Sequence, residues 1–495
     1  MSVDLPIFRS DSVRAIDAAT IAAGTSAITL MRRAGQAAFV LLRRRWPLAR
    51  SIVVVCGPGN NGGDGYVVAR EARLAGFEVR CFSVGGRLPH SEESCRARAG
   101  WDAQGSTESF EEGMDLPGAE VVVDAVLGIG VRSAPRGDVA AAIRAIMAHG
   151  APILSLDVPS GLDGDQGHAP GVCVRAHSTI SFVARKRGLY TGSGCVYRGE
   201  LEFADLGAGT EHGIKADGFL ESGASLRSLL PPRPVDAHKG LFGHVLAVGG
   251  DLGMGGALRL TAEAALRAGA GLVSAVTRSQ HVAAVLAALP EVMVSGCDDL
   301  ADWPVPVASR ANVLALGPGM GVRGWGKDLF GRAIRSPARA GVIDADALNL
   351  LADHAASYLP SGPEWVLTPH PGEAARLLGC SSADVQADRF AAARGIADRW
   401  RATVVLKGAG SVVVAPDGSM CVIDAGNPGL AVAGSGDVLT GVIAALLGQG
   451  LSAFDAARLG AYLHAAAGDQ LVLSEGERGL LASDLPRAVR RRINT

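Results

Sequence analysis

The sequence predicts an α/β protein of two domains, and three observations carry that prediction. Short apolar runs bounded by Gly or Asp alternate with helical patterns along the chain, as in a parallel sheet buried on both faces. The 495 residues exceed the roughly 250–300 at which a single hydrophobic core stops growing. The 66 glycines stand above an average usage of about 7%, as expected where backbone turns sharply or approaches a ligand.

The elements follow in order. Ser12–Ala23 and Ile28–Trp46 read as helices, the second with apolar residues at Leu30, Ala34, Ala37, Ala38 and Leu41 and arginines between them. Four strands then recur between helical patterns at Ile52–Cys56, Val79–Val84, Val121–Val126 and Ile153–Leu156. Around 207–234 the periodicity lapses into GAGTEHG, a mixed stretch and Pro231-Pro232-Arg233-Pro234, which reads as a seam between a domain 1–215 and a domain 225–495. A second series follows: Val245–Val248, the helix Leu258–Ala268, Val273–Val276, Val313–Leu316, Val342–Asp344, Val366–Leu367, Thr403–Leu406, Ser411–Val414 and the apolar helix Asp437–Leu447.

Composition narrows the function classes. With 48% hydrophobic and 19% charged residues the chain reads as globular rather than disordered or fibrous. The net charge of −2 and the scatter of basic residues, apart from Arg43–Arg45 and Arg490–Arg492, leave no footprint for nucleic acid. The eight cysteines form no C-x-x-C pair, which excludes a disulfide framework or structural zinc by pattern and makes the cytoplasm the expected location. Asp4, Arg9 and Asp11 interrupt any signal-peptide core, and later apolar runs are broken before membrane length, so no membrane partner is expected.

Strand Ile52–Cys56 runs into Gly57-Pro58-Gly59-Asn60-Asn61-Gly62-Gly63-Asp64-Gly65, with a helical pattern resuming at Tyr66. Strand, Gly-rich turn and helix is a phosphate-cradling arrangement, yet neither G-x-G-x-x-G nor a P-loop is spelled. The asparagines and Asp64, with Asp124 and Ser160 at other strand ends, offer oxygens suited to a monovalent cation. The competing reading is that Asn and Asp only form the turn. Asp157 ends a strand before a Pro-constrained turn, which presents a carboxylate for proton transfer; a turn cap is its alternative.

GPGNNGGDGYVVAR, VVVDAVLGIGVRSAPRG and LSLDVPSGLDGDQG together resemble the NAD(P)H-hydrate epimerase family over residues 1 to about 215. The resemblance implies a Rossmann-like three-layer sandwich that interconverts the R and S epimers at C6 of the hydrated nicotinamide. It implies substrate binding by Asn60, Asn61, Gly62, Gly63, Asp64, Gly128, Ile129, Gly130, Val131, Arg132, Ser133, Ala134 and Asp157, and K+ at Asn61, Asp124 and Ser160.

In the second half, Ala433-Gly434-Ser435-Gly436-Asp437 opens a helix. Its glycines free first-turn N–H groups for developing phosphoryl charge, and Asp437 supplies a base. An ordinary helix cap is the alternative. VGGD at 248–251, GPGMG, Asp344-Ala345-Asp346-Ala347 and TPHPGE all fall at strand ends, where open sheets gather ligands.

With His238-Lys239-Gly240, KGAGS and GNPGLAVAGSGDVLTG, this set resembles the ADP-dependent NAD(P)H-hydrate dehydratases of the ribokinase-like fold across about 225–495. The resemblance implies contact with the hydrated nucleotide by Ala257, Gly319, His370 and Asp437, and with ADP by Lys407, Gly408, Ala409, Gly410, Ser411 and Gly436. ADP is then the co-substrate and Mg2+ the expected ion. His370 has a second reading as a ring satisfied by backbone. Asp251 stands where the family usually has Ser, Gly255 where Pro is frequent and Ser435 where Thr is usual; Asp251 puts local phosphate affinity in question.

Taken together, the chain is expected to act on NADHX and NADPHX as a homo-oligomer without nucleic-acid or membrane partners. A small-molecule kinase is the rival enzyme for the second half, because fold does not decide substrate. A non-catalytic binding module is the rival of another class, and the coexistence of Asp157, Asn61 and Asp124 argues against it.

Overall fold

A computed structural model describes residues 5–209, 213–353, 359 and 364–494. The chain divides into two compact units, Pro6–Gly218 and a second from Phe219 onward.

In the first unit the strands are β1 (Leu5–Phe8), β2 (Ser51–Cys56), β3 (Glu78–Val84), β4 (Thr107–Phe110), β5 (Val121–Ala125), β6 (Ile153–Leu156), β7 (Ser178–Phe182), β8 (Arg185–Lys186) and β9 (Glu200–Ala204). A sheet of order β4-β3-β2-β5-β6-β7-β9 is parallel throughout, and β1 pairs in parallel with β8. Alternation along β2 explains why both faces are covered. Ile52, Val54 and Cys56 pack with Leu30, Ala34, Ala38 and Val67 of the helices on one side, while Val53 and Val55 meet Ala142, Ile143 and Ile146 of helix Gly137–Ala148 on the other. The chain walks outward from β2 to β4 and then restarts at β5, so the order reverses between β2 and β5. The crevice beyond their carboxyl ends is where such sheets bind ligands.

The helix after β2 begins at Asn60, not at Tyr66. The reason is packing. A Cβ on Gly57 would strike the Val126 carbonyl and one on Gly62 would strike that of Gly57, so these glycines allow close approach of backbone instead of forming a long loop.

The second unit contains β10 (Gly218–Glu221), β11 (His244–Val248), β12 (Leu272–Thr277), β13 (Met293–Gly296), β14 (Val313–Leu316), β15 (Ala340–Ile343), β16 (Glu364–Leu367), β17 (Thr403–Leu406), β18 (Ser411–Val414) and β19 (Met420–Ile423). Their order is β13-β12-β11-β14-β15-β16-β17-β18-β19-β10. Pairing is parallel from β13 to β17, antiparallel from β17 through β19, and parallel again between β19 and β10. The reversal of order lies between β11 and β14. Helix Ser435–Gly448 buries Val438, Val442 and Ile443 in one core with Leu258, Ala262 and Ala265 of helix Gly255–Arg267.

Two local differences from the sequence reading have physical causes. The stretch read as seam includes β10 and a helical turn at Leu226–Leu229. Pairing of Phe219 with Cys421, some two hundred positions away, creates the strand, and local periodicity carries no trace of that. Asp344 lies one residue beyond β15, not within it, which leaves its side chain at the sheet's carboxyl edge. Among the described residues no helix is long and apolar enough to cross a membrane.

Candidate active sites

A cavity of about 580 Å³ opens at the β2/β5 reversal, and its wall includes Asn60, Asn61, Asp64, Gly128, Ile129, Gly130 and Asp157. Of the other residues expected to bind substrate there, Gly62 and Gly63 are buried beneath the wall, the latter against Met31 and Ser94. Val131 is buried. Arg132 is committed to Asp165 at 2.7 Å, and Val131, Arg132, Ser133 and Ala134 lie off the wall.

Asp157 has φ 62°, a left-handed backbone that Asp and Asn tolerate better than most residues. Its N–H donates to the Ile180 carbonyl at 2.7 Å. Its Oδ1 accepts from the Phe182 N–H at 3.3 Å and from the ammonium of Lys186. The carboxylate is therefore held from β7 and β8 and does not cap the following turn. Lys186 is 1% exposed and also donates to the Phe182 carbonyl at 2.5 Å. Sequence reasoning missed Lys186, and a lone Lys in an Arg-Lys-Arg run gives no local signal that it is buried.

Asp64 and Asp17 also line the cavity, as does Glu93, which accepts from Asn60 Nδ2 at 3.1 Å. Burial pushes Asp64 well above the usual carboxylate range, and the charges of Asp157 and Asp17 add to the effect. Asp17 is raised mainly by its own burial.

Beneath the wall, Asp124 is fully buried. Its Oδ2 accepts from the Ser155 hydroxyl at 2.7 Å and the Ser160 N–H at 2.9 Å, and its Oδ1 accepts from the Ser160 hydroxyl at 2.5 Å. Burial raises its pKa even against these hydrogen bonds. Asn61 donates from Nδ2 to the Leu127 carbonyl at 2.9 Å, while its Oδ1 is buried with no hydrogen-bond partner. An orphaned buried acceptor of this kind costs on the order of 1–3 kcal/mol unless something fills it.

In the second unit the expected residues fall around the start of helix Ser435–Gly448. Gly434 is its N-cap at φ 92°, and no side chain caps that end, so Asp437 is not serving as a cap. Burial, then the charge of Asp344, lifts the Asp437 carboxyl to about 6. The Thr261 hydroxyl donates to both the Asp437 carbonyl at 3.0 Å and the Ala257 carbonyl at 3.1 Å, joining two of the expected substrate contacts. Gly319 packs on Ala257, where a Cβ would come within 3.2 Å of the Ala257 Cβ.

Lys407 donates to Asp344 Oδ1 at 2.7 Å, and the Thr440 hydroxyl donates to Oδ2 at 2.8 Å. A Cβ on Gly436 would lie 3.3 Å from the Lys407 Nζ, so the ammonium sits against the first turn of the helix. Lys407 begins the β17–β18 hairpin turn, whose backbone is fastened by buried Arg389, donating to the Leu406 carbonyl at 3.0 Å and the Lys407 carbonyl at 3.3 Å. Gly408, Ala409, Gly410 and Ser411 complete that turn and the start of β18. Neither Asp344's partnership nor Arg389's could be read locally, because both bridge segments distant in the chain.

His370 is the N-cap of helix Pro371–Leu378, where Nδ1 accepts from the N–H groups of Gly372 at 3.0 Å and Glu373 at 3.4 Å. Its ring is half exposed, and burial together with nearby Lys407 keeps its pKa low. Glu373, 3.4 Å from the ring, is pushed to about 7 by burial. Asp251 pairs with Arg278 at 2.8 Å, and that guanidinium stacks 4.4 Å from the Trp325 ring centroid. The negative charge that put phosphate affinity in question is thereby balanced by a residue of the neighbouring loop after β12.

Comparison with known proteins matches both units. The NAD(P)H-hydrate dehydratase family covers residues 245–491, and the family described as YjeF-related protein N-terminus covers 27–188. The bifunctional NAD(P)H-hydrate repair enzyme of Coxiella burnetii is 42% identical over 97% of each chain. That of Escherichia coli is 43% identical over 95% of this chain and 90% of its own. Among solved structures, a ribokinase-like superfamily protein from Enterococcus faecalis matches with TM-score 0.51 and 26% identity over 56% of this chain and 96% of its own. The chain belongs to the family of bifunctional NAD(P)H-hydrate repair enzymes, with an epimerase-type first part and a dehydratase-type second part.

Proposed function

We propose that the first unit interconverts the R and S epimers of NADHX and NADPHX at the Asp157 cavity, and that the second dehydrates the S epimer to NAD(P)H, converting ADP to AMP and phosphate. The observation that carries this reading is the presence, in one chain, of the Asp157–Lys186 cavity and of an uncapped Gly-Ser-Gly-Asp helix start beside Lys407.

At the second site Asp437 accepts the proton of the C6 hydroxyl as that oxygen attacks the β-phosphorus of ADP and AMP leaves. The ring nitrogen then expels phosphate from C6, and loss of a proton from C5 completes the double bond. Lys407 and the free N–H groups around Gly436 hold the negative charge that develops on the phosphoryl oxygens. The Lys407–Ser411 turn receives the adenine nucleotide, with Ala257, Gly319 and His370 toward the hydrated ring. Mg2+ would be carried mainly by nucleotide phosphates and water. The ion supplies charge neutralisation.

At the first site Asp157 exchanges the proton of the C6 hydroxyl. The unpaired Asn61 Oδ1 and the carboxylate of Asp124 support a bound K+, held by Asn61, Asp124 and Ser160. Such an ion would offset the buried charge and fix the start of the helix at Asn60, which brings Asn60, Asn61 and Asp64 to the cavity wall. We place the protein in the cytoplasm as a homo-oligomer. The free cysteines suit a reducing compartment, and the exposed Val40 and Leu48 offer apolar surface for association.

The test mixes the purified chain with both epimers of hydrated NADH and ADP, and follows recovery of reduced-nicotinamide absorbance. Full recovery of both epimers is expected. No recovery with ADP or ATP would defeat the dehydratase assignment, and recovery of the S epimer alone would defeat the epimerase one.

A further inference from the structure

The wall of the first unit's cavity carries the carboxyl groups of Asp17, Asp64, Glu93 and Asp157, and Lys186 is engaged by Asp157 alone. Neighbouring polar groups on the wall are occupied: Arg14 pairs with Asp11, and Glu93 accepts from Asn60. Among the described residues the carboxyls of Asp17 and Asp64 have no hydrogen-bond partner. Gly128 marks the space between the Asn61 helix and Asp157. A Cβ there would lie 3.4 Å from Asp157 Oδ2 and 3.5 Å from the Asn61 Cβ, so its absence keeps the gap open. Asp64 follows Asn61 by three residues, which puts both on adjacent turns of one helix face.

From this arrangement, and resting on the epimerase reading above, we infer that Asp64 is the acid that partners Asp157 in opening and closing the substrate ring. Asp157 takes the C6 hydroxyl proton, and the oxygen's electron pair forms the C6=O bond. The C6–N1 pair withdraws onto N1, which receives the proton of Asp64. Rotation about C5–C6 presents the other aldehyde face to N1. The reverse transfers then close the ring as the opposite epimer, and both carboxyls return to their starting states.

The surroundings favour a proton on Asp64. It is half-buried in the cavity wall, and it faces the negative charges of Asp157 and Asp17 while the ammonium of Lys186 is spent on Asp157. A raised carboxyl on the same cavity wall as a carboxylate paired with an ammonium gives one centre both an acid and a base. The groups facing Asp64 are Asp17 and Arg14 from helix Ser10–Ala22, His90 and Glu93 from the segment after β3, Asp157 after β6 and Lys186 in β8. Cys56 lies behind it in β2.

The experiment supplies the full chain with the pure R epimer in K+ buffer without ADP, and measures the S epimer by chromatography across a pH series. The wild type should show epimerisation that falls at high pH, as Asp64 loses its proton. Asp64→Asn should epimerise about 10²–10⁴-fold more slowly, with KM little changed and with the dehydratase rate on the S epimer retained. The alkaline fall should persist in Asp17→Asn. The inference is overturned if Asp64→Asn stays within tenfold of wild type, if its alkaline fall survives, or if Asp17→Asn removes that fall instead. A wild type that does not epimerise at all would sink the epimerase reading, and is distinguishable from any of these.

Discussion

The ammonium of Lys407 lies 2.7 Å from Asp344 Oδ1, and the pair sits under the first turn of helix Ser435–Gly448. Breaking a buried pair by removing one partner leaves the other charge uncompensated. Asp344→Ala should therefore cost about 3 kcal/mol of stability, at the low end because Lys407 keeps a fifth of its side chain exposed and retains Glu373 at 3.9 Å. Urea denaturation checks this. Dehydratase kcat/KM for ADP should fall together with the unfolding midpoint.

Asp437 must be ionised to act as a base, and burial holds its pKa at about 6. Dehydratase kcat/KM should thus drop as pH falls through about 6, approaching tenfold per unit below it. Asp344 contributes to the elevation and Lys407 opposes it. Removing the charge with Asp344→Asn should move the acid limb to lower pH. A pH–rate profile of both proteins, fed the S epimer, measures the shift; an unmoved limb would show that another group governs it.

The unpaired Oδ1 of Asn61 predicts an ion-specific stability effect. Melting in KCl should exceed melting in choline chloride at equal ionic strength, because a ligand that binds only the folded state stabilises it by mass action. In Asn61→Ala the difference should disappear. Persistence of the full difference would place the cation elsewhere.

At Asp157, Asn is the replacement that keeps the left-handed backbone and the shape. Asp157→Asn should lower the epimerase rate by about 10²–10⁴, while dehydration of supplied S epimer continues. Because Lys186 is 1% exposed and loses a charged partner, the melting temperature should drop as well. Differential scanning calorimetry of the full chain checks it.

Arg389 holds the Lys407–Gly408 turn through two carbonyls. Arg389→Met should raise the KM for ADP several-fold, with a smaller effect on kcat, since the turn is proposed to receive the nucleotide and not to take part in bond making. Steady-state kinetics with ADP varied separates the two.

What could be read from the sequence divides by range. Strand β2 was legible because burial on both faces makes it a continuous apolar run, and helix Ser435–Gly448 because burial over nearly its whole length makes it a long apolar one. The Gly-rich motif was visible, but its conformation was not, since glycines that permit close packing and glycines that permit loops look alike in one dimension. Lys186, Asp344 and Arg389 became meaningful only when folding brought them to Asp157, Lys407 and the Leu406 carbonyl. Asp157 itself was legible by type and place, whereas the partner that holds it was not.

The pairing of Asp251 with Arg278 bears on how this loop can change over time. A neutral Ser at that position would leave the guanidinium without its counterion beside a polyanionic substrate, and loss of the arginine alone would turn the same loop repulsive. The two residues therefore form a single heritable unit. Asp251 is permissible beside a polyanionic substrate because Arg278 is present, and a route from Ser to Asp at this position runs most easily through a chain that already carries the arginine.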